Sequence, residues 1–278
     1  MGLLLKNINE NLGRIQIYLN IPSSSDPDAQ AFLTAASITD PTISSAINQL
    51  VVDLKATGVW NSLNAIYPFV GGNATAHSFN LKAPASYQIT WFGGVTHNSN
   101  GVTFNQINSY GNTGYAESTT ETYGNTHRSI YDRSNNSDLG IQIGAQDVNA
   151  NKRNSIYTNY SNQYYSDCYD ATDNLGRLSG ANLGSAAFWV SSRTSLGAGG
   201  FSVYRSGVTL STSTGATIGT QPINTNVFVG GLNDTGVLSQ PSGHNLAFAS
   251  MGAGLINTQV SNYYTAVQTF QTTLGRQV

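Results

Sequence analysis

The chain has 278 residues, of which 39% are hydrophobic, enough for one sizeable core, and a formal net charge of −2. Charged residues make up only 9%, against roughly 25% in an average soluble domain; Asn, Ser, Thr, 29 Gly and 15 Tyr supply the polarity instead. That mixture excludes charge-rich disorder and suits many short strands joined by tight turns, while the 12 scattered Lys and Arg leave no basic stripe for nucleic acid.

Residues 1–27 read as an extended arm. Met1-Gly-Leu-Leu-Leu-Lys6 holds too short an apolar run for a secretory segment. Ile15, Ile17 and Leu19 then alternate with Gln16, Tyr18 and Asn20 until Pro22 and Pro27 break the pattern. Residues 28–68 read as a helical segment. Asp40-Pro41 places a capping carboxylate before a first-turn proline, and Ile43, Ala46, Ile47, Leu50, Val51 and Leu54 form one apolar stripe that Gly58 ends. Trp60, Leu63, Ile66 and Tyr67 predict a second short helical turn ending at Pro68.

Residues 69–250 read as strands and turns without a helix. The strand candidates are Tyr87–Phe92, His127–Arg133, Asp138–Gly144, Asn154–Tyr160, Ala186–Ser191, Gly200–Tyr204, Val208–Thr212, Asn226–Gly230 and Asn245–Ser250. Arg205-Ser206-Gly207 marks a tight hairpin turn. Residues 251–278 read as a C-terminal helix, capped by Asn257 or Thr258, with Val260, Tyr263, Val267, Phe270 and Leu274 on one face. The expected architecture is mainly β: a jelly-roll β-sandwich with an extended arm and an amphipathic helical segment at each end, neither helix stable alone. No stretch approaches the ~20 apolar residues of a membrane span.

Chemistry is sparse. Glycoside hydrolysis needs two carboxylates across one bond, and Glu117 and Glu121 in their polar stretch read as solvated loop carboxylates. Asp167, Asp170 and Asp173 could supply hard oxygen ligands to a calcium ion, although three turn-forming aspartates need no ion. His77, His97, His127 and His244 are spread along the chain without a zinc spacing. Cys168 has acidic neighbours, which raise a thiol pKa. Aromatic and amide density stands out: Tyr157, Tyr160, Tyr164 and Tyr165 interleave with Asn159 and Asn162, and Tyr110, Tyr115 and Tyr123 form a second set. Such sets serve first of all plain core and loop packing, then subunit contact or sugar stacking.

From Ala186 onward the chain resembles the laminin-G-like branch of the concanavalin A-like lectin/glucanase superfamily. The residues that carry the resemblance are Phe188-Trp189-Val190, the Val203–Val208 hairpin, Val227-Phe-Val-Gly-Gly231, and Leu246–Ser250 leading into a helix. The Glu-x-Asp-x-x-Glu strand typical of the superfamily's hydrolases is missing, so the resemblance implies a binding module rather than an enzyme. Ala46–Lys55, Trp60–Gly72, His77–Lys82 and Tyr263–Val278 are similar to uncharacterised structural proteins of tailed phages. This second resemblance implies a virion component made in the host cytoplasm without a signal peptide. It would assemble through its arm and helices with copies of itself or other virion proteins, with host-surface glycan binding as the alternative. Neither nucleic acid nor a membrane is an expected partner.

Overall fold

The computed structural model describes residues 25–147, 152–217 and 222–278. The expected arm lies outside the described residues except at its end, where Asp26 accepts the Asp28 amide at 2.9 Å and caps helix α1, Pro27–Ala35. Asp26-Pro27-Asp28 therefore starts a helix instead of only breaking the chain. Helix α2, Pro41–Ala56, begins at the predicted Asp40, whose carboxylate accepts the amides of Thr42 and Ile43 at 2.8 and 2.9 Å. Its predicted stripe is buried from Ala46 to Leu54.

Beyond α2 the helical expectation fails. A single 3-10 turn, Val59–Ser62, leads into strand β1, Leu63–Tyr67. A register shift between Leu63 and Ala65 puts Leu63 and Ile66 on one face and Ala65 and Tyr67 on the other. A bulge thus mimics helical i, i+3 spacing in a strand buried on both faces.

The strands form two sheets. Sheet A runs, in spatial order, β13 (Val208–Thr212), β12 (Phe201–Arg205), β11 (Ala187–Arg193), β6 (Thr126–Asp132), β17 (Asn245–Gly252), β4 (Gly101–Thr103) and β3 (Thr96–Asn98), with β1 also on β17. Sheet B runs β10 (Arg177–Ala181), β9 (Gln163–Cys168), β8 (Arg153–Tyr160), β7 (Ile143–Gln146), β14 (Asn226–Val229), β5 (Tyr110–Ala116) and β2 (Thr90–Phe92). A hairpin of β15 (Leu232–Asp234) and β16 (Val237–Ser239) joins β7 in parallel, while the other pairings are antiparallel. The predicted β12–β13 turn is Ser206-Gly207, with φ of 49° and 77°, the left-handed pair a two-residue hairpin requires. A short helix α3, Ala74–Ser78, interrupts the stretch expected to hold strands alone.

The two sheets make the predicted sandwich, and helices add a third layer. Ile130, Trp189, Val203 and Met251 of sheet A face sheet B. Tyr131, Phe188, Val190 and Phe248, on the opposite face, pack against α2 and α4 (Asn257–Thr273). Helix α4 starts one residue before the predicted caps: Ile256 is the N-cap, and Gln259 accepts its amide at 3.1 Å. The chain end is anchored by Arg276, which donates to the carbonyls of Phe69, Pro68 and Ala247 at 2.8, 3.0 and 3.2 Å. The apolar stripes of α2 and α4 are buried in this chain's own core, α2 packing mainly against α1 and α4. Among the described residues no helix is long and apolar enough to cross a membrane.

A buried ion pair ties the sheets together. Arg128 of β6 donates through Nε to Glu117 Oε1 at 2.6 Å, with Nη2 on the same oxygen, and Asn154 of β8 donates to it at 2.9 Å. Both members of the pair are fully buried. Beside it Glu121 accepts from Tyr115, Thr126 and Tyr169, and burial together with the Glu117 charge pushes its pKa well up. The two glutamates expected on a solvated loop are inside the sandwich. Arg128→Met leaves Glu117 charged and unpaired and should cost about 3–5 kcal/mol in urea denaturation, whereas Arg128→Met with Glu117→Gln should recover part of that loss.

Candidate functional site

Strands β8 and β9 are joined by Ser161-Asn162, with φ of 52° and 63°. Alternation, shifted by a bulge between Tyr157 and Tyr160, then sorts the predicted binding residues by face. Tyr164 points inward, 4% exposed, its ring 5.6 Å from Trp189 and its hydroxyl donating to Ser211 at 3.0 Å. Asn159 donates to the Asn136 carbonyl at 3.1 Å and accepts the Asn162 amide at 3.2 Å, so these two asparagines hold the turn. Tyr157, Tyr160 and Tyr165 gather on the outer face of sheet B. Their ring centroids lie 5.6, 6.2 and 5.9 Å apart, all edge to face.

Two arginines complete this aromatic floor. Arg153 lies over Tyr157 and Arg177 over Tyr165, each guanidinium 5.7 Å from the ring. Between them Asp167, fully buried, accepts from Arg153 Nε at 2.7 Å, Arg177 Nε at 2.7 Å, Arg177 Nη2 at 3.1 Å and the Ser155 hydroxyl at 3.1 Å. Cross-strand register puts Asp167 directly opposite both Ser155 and Arg177. Burial acts to lower the Arg177 pKa, but its hydrogen bonds to Asp167 and the carboxylate charge hold it above the ordinary value.

Gln240 closes the depression, its side-chain oxygen accepting the Tyr157 hydroxyl at 2.5 Å. Burial pushes the Tyr157 phenol up to about 12, so it stays a donor. Arg153, Tyr157, Tyr160, Tyr165, Arg177 and Gln240 enclose about 250 Å³. Tyr160 and Gln240 also border a second depression of about 310 Å³, floored by Gln106, Leu139 and Pro241. The two depressions adjoin at Tyr160 and Gln240 and make up the groove. A larger cavity of about 510 Å³ lies elsewhere, between the α1–α2 connection and the chain end.

The Gln240 wall is held from below. Gln240 has φ of 47°, a strained backbone for a non-glycine residue. Four residues on, the buried His244 pairs through Nδ1 with Asp132 at 2.5 Å and through Nε2 with Asp138 at 3.2 Å. Asp138 also accepts the amides of Gly243 and Gly140 at 2.5 and 3.1 Å. Burial alone would lower the His244 pKa, but the Asp132 charge and the contacts with both carboxylates outweigh it and raise the value to about 9.

No family model and no curated protein sequence matches the chain. Solved structures do match. Trypanosoma rangeli sialidase in complex with sialic acid aligns with 78% of this chain and 38% of its own, at 10% identity and a TM-score of 0.51. A structure of botulinum neurotoxin type C aligns with 76% of this chain and 53% of its own, at 11% identity and a TM-score of 0.50. The NanB sialidase of Streptococcus pneumoniae matches over 62% of this chain, at 14% identity and a TM-score of 0.42, and the chain spans 27% of its length. The likeness is one of fold.

The remaining predicted residues do not converge. Asp167 is occupied by two arginines, Asp170 accepts the Thr172 amide and the Thr217 hydroxyl at 2.9 and 3.1 Å, and Asp173 lies in the turn leading to β10. Among the described residues no three His, Cys, Asp or Glu side chains group as metal ligands; in the aspartate run that could supply ligands to calcium, Asp167 forms ion pairs and Asp170 and Asp173 lie in turns. Cys168 is buried, which pushes its thiol up to about 12. His77 and His97 come together despite their separation in sequence, their Nδ1 atoms 3.0 Å apart. The Gly72 amide donates to His77 Nε2, and burial followed by the His97 charge lowers the His77 pKa to about 3.

Sequence reasoning missed Arg153, Arg177 and Gln240. The tyrosine run and the i, i+2 spacing of Tyr165 and Asp167 were the available signals; Gln240 had none. Because the His244 pKa is raised on folding, its stabilisation is complete below about pH 6.5 and is lost as the pH climbs through about 9. The melting-temperature advantage of the wild type over His244→Gln should therefore be largest near neutrality and shrink steadily towards alkaline pH.

Proposed function

We propose that this protein is a non-catalytic glycan-binding module and that its ligand lies in the groove on the outer face of sheet B. The carrying observation is the trio Tyr157, Tyr160 and Tyr165, flanked by Arg153, Arg177 and Gln240 on a rigid sheet. Rings offer flat apolar faces to sugar C–H groups, while guanidinium and amide donors match hydroxyls. The support from fold is general: Trypanosoma rangeli sialidase is seen with sialic acid, and cell entry of botulinum neurotoxin type C depends on two ganglioside molecules.

Catalysis is left out of the proposal because Glu117 and Glu121 face the intersheet core, and Asp167, the carboxylate nearest the groove, is neutralised by arginines. A virion component carrying this module is the finer reading, supported by the sequence resemblance. Light scattering that finds a multimer co-purifying with particles favours it, and a monomer absent from particles removes it.

A glycan array followed by calorimetry tests the binding. Tyr160→Ala should weaken affinity for the best ligand about tenfold without lowering the melting temperature, and no reducing ends should be released. Loss of neither affinity nor selectivity in Tyr160→Ala would move the site elsewhere.

A further inference from the structure

Resting on the glycan reading, we infer that the groove selects acidic oligosaccharides, seating a carboxylate or sulfate at the Arg153–Arg177 end and neutral sugars along Tyr160, Gln240 and Leu139. At that end the guanidiniums of Arg153 and Arg177 pair with the buried Asp167, and the Asp173 carboxylate also acts on Arg177, so selection rests on the direction of the guanidinium donors and not on an excess of charge.

The arginines are also oriented for the purpose. Asp167 engages Arg153 through Nε and Arg177 through Nε and Nη2, while Arg153 Nη1 makes a long 3.4 Å contact to Tyr157. Among the described residues Arg153 Nη2 and Arg177 Nη1 have no protein partner. Asp167 is fully buried, whereas the arginine side chains keep 15% and 22% of their surface exposed. The buried carboxylate thus fixes the direction of both forks, and both arginines line the depression. Stacking over Tyr157 and Tyr165 restricts them further. A preoriented guanidinium with unspent N–H groups binds a planar or tetrahedral oxyanion by charge-assisted hydrogen bonds that a neutral hydroxyl cannot equal.

The other end of the groove has no such demand. Gln106, Leu139, Tyr160, Gln240 and Pro241 line it without a charge, and Leu139 is 53% exposed. An apolar and amide surface of this kind accepts a neutral pyranose. The groove therefore has direction, basic at β10 and neutral at the Gln240 loop.

The test is an array that pairs uronate- or sialate-bearing and sulfated oligosaccharides with their neutral counterparts, followed by titration of the best pair in low and high salt. The expected result is tighter binding of the acidic member by about tenfold or more, reduced by salt, while the neutral member is indifferent to salt. Arg177→Gln should abolish the difference between the acidic and neutral members together with its salt dependence; Arg177→Lys should retain part of both. Comparison of carboxylated with sulfated arms identifies which anion is taken. Equal binding of acidic and neutral members overturns the acidic preference and leaves the glycan reading intact, whereas binding of neither overturns both. If Arg177→Gln does not fold, the salt dependence of the wild type decides alone.

Discussion

The centre of sheet A has no face in solvent, and the remaining architecture follows from that. Its central strands β6, β11 and β17 are buried on both sides, by sheet B through Ile130, Trp189 and Met251 and by helices through Tyr131, Phe188 and Phe248. A strand buried on both faces needs two covers. The helices must dock to supply one, and sheet B supplies the other with its inner face. The outer face of sheet B is left to carry the aromatic groove.

The chain has few charges and spends a surprising share of them inside. Glu117, Glu121, Arg128, Asp132, Asp138, Asp167, Arg193 and Arg276 are all buried. Burying an ion is costly unless partners satisfy it, and most of these sit where separate segments meet. Glu117–Arg128 joins the two sheets, Asp132–His244–Asp138 holds the loop behind Gln240, and Arg276 fastens the chain end to the Phe69 segment. These groups specify which segment lies against which, while apolar area does the bulk of the stabilising. The same economy leaves the outside rich in neutral amides and hydroxyls, a surface suited to contact with hydroxylated ligands.

Within the groove one buried acid sets the geometry. Asp167 uses both oxygens on Arg153 and Arg177, and each arginine covers a tyrosine ring. The carboxylate considered as a calcium ligand is thereby engaged by two guanidiniums. Of the four tyrosines of the run, three share a face, because Tyr164 alternates into the core.

Periodicity and capping chemistry alone determined the sandwich class, helix α2 with its Asp40 cap, helix α4 to within a residue, and strands such as β6, β8, β11 and β13, whose alternation or unbroken apolar run needs no distant partner to be recognised. Strands β3 and β4 escape because they are only three residues long, and β5 because Gly111 and Gly114 break its pattern, so that pairing and not propensity makes them strands. Strand β1 was mistaken for a helical turn because its bulge repeats apolar residues at helical spacing. Which polar residues are exposed was decided only in three dimensions. Glu117 and Glu121 look like loop carboxylates until Arg128, Asn154 and Tyr115, distant in sequence or in strand, close around them. Arg153, Arg177 and Gln240 become one site only when β8, β10 and the loop before β17 are brought side by side, since ion pairing and burial depend on neighbours in space that local sequence does not encode.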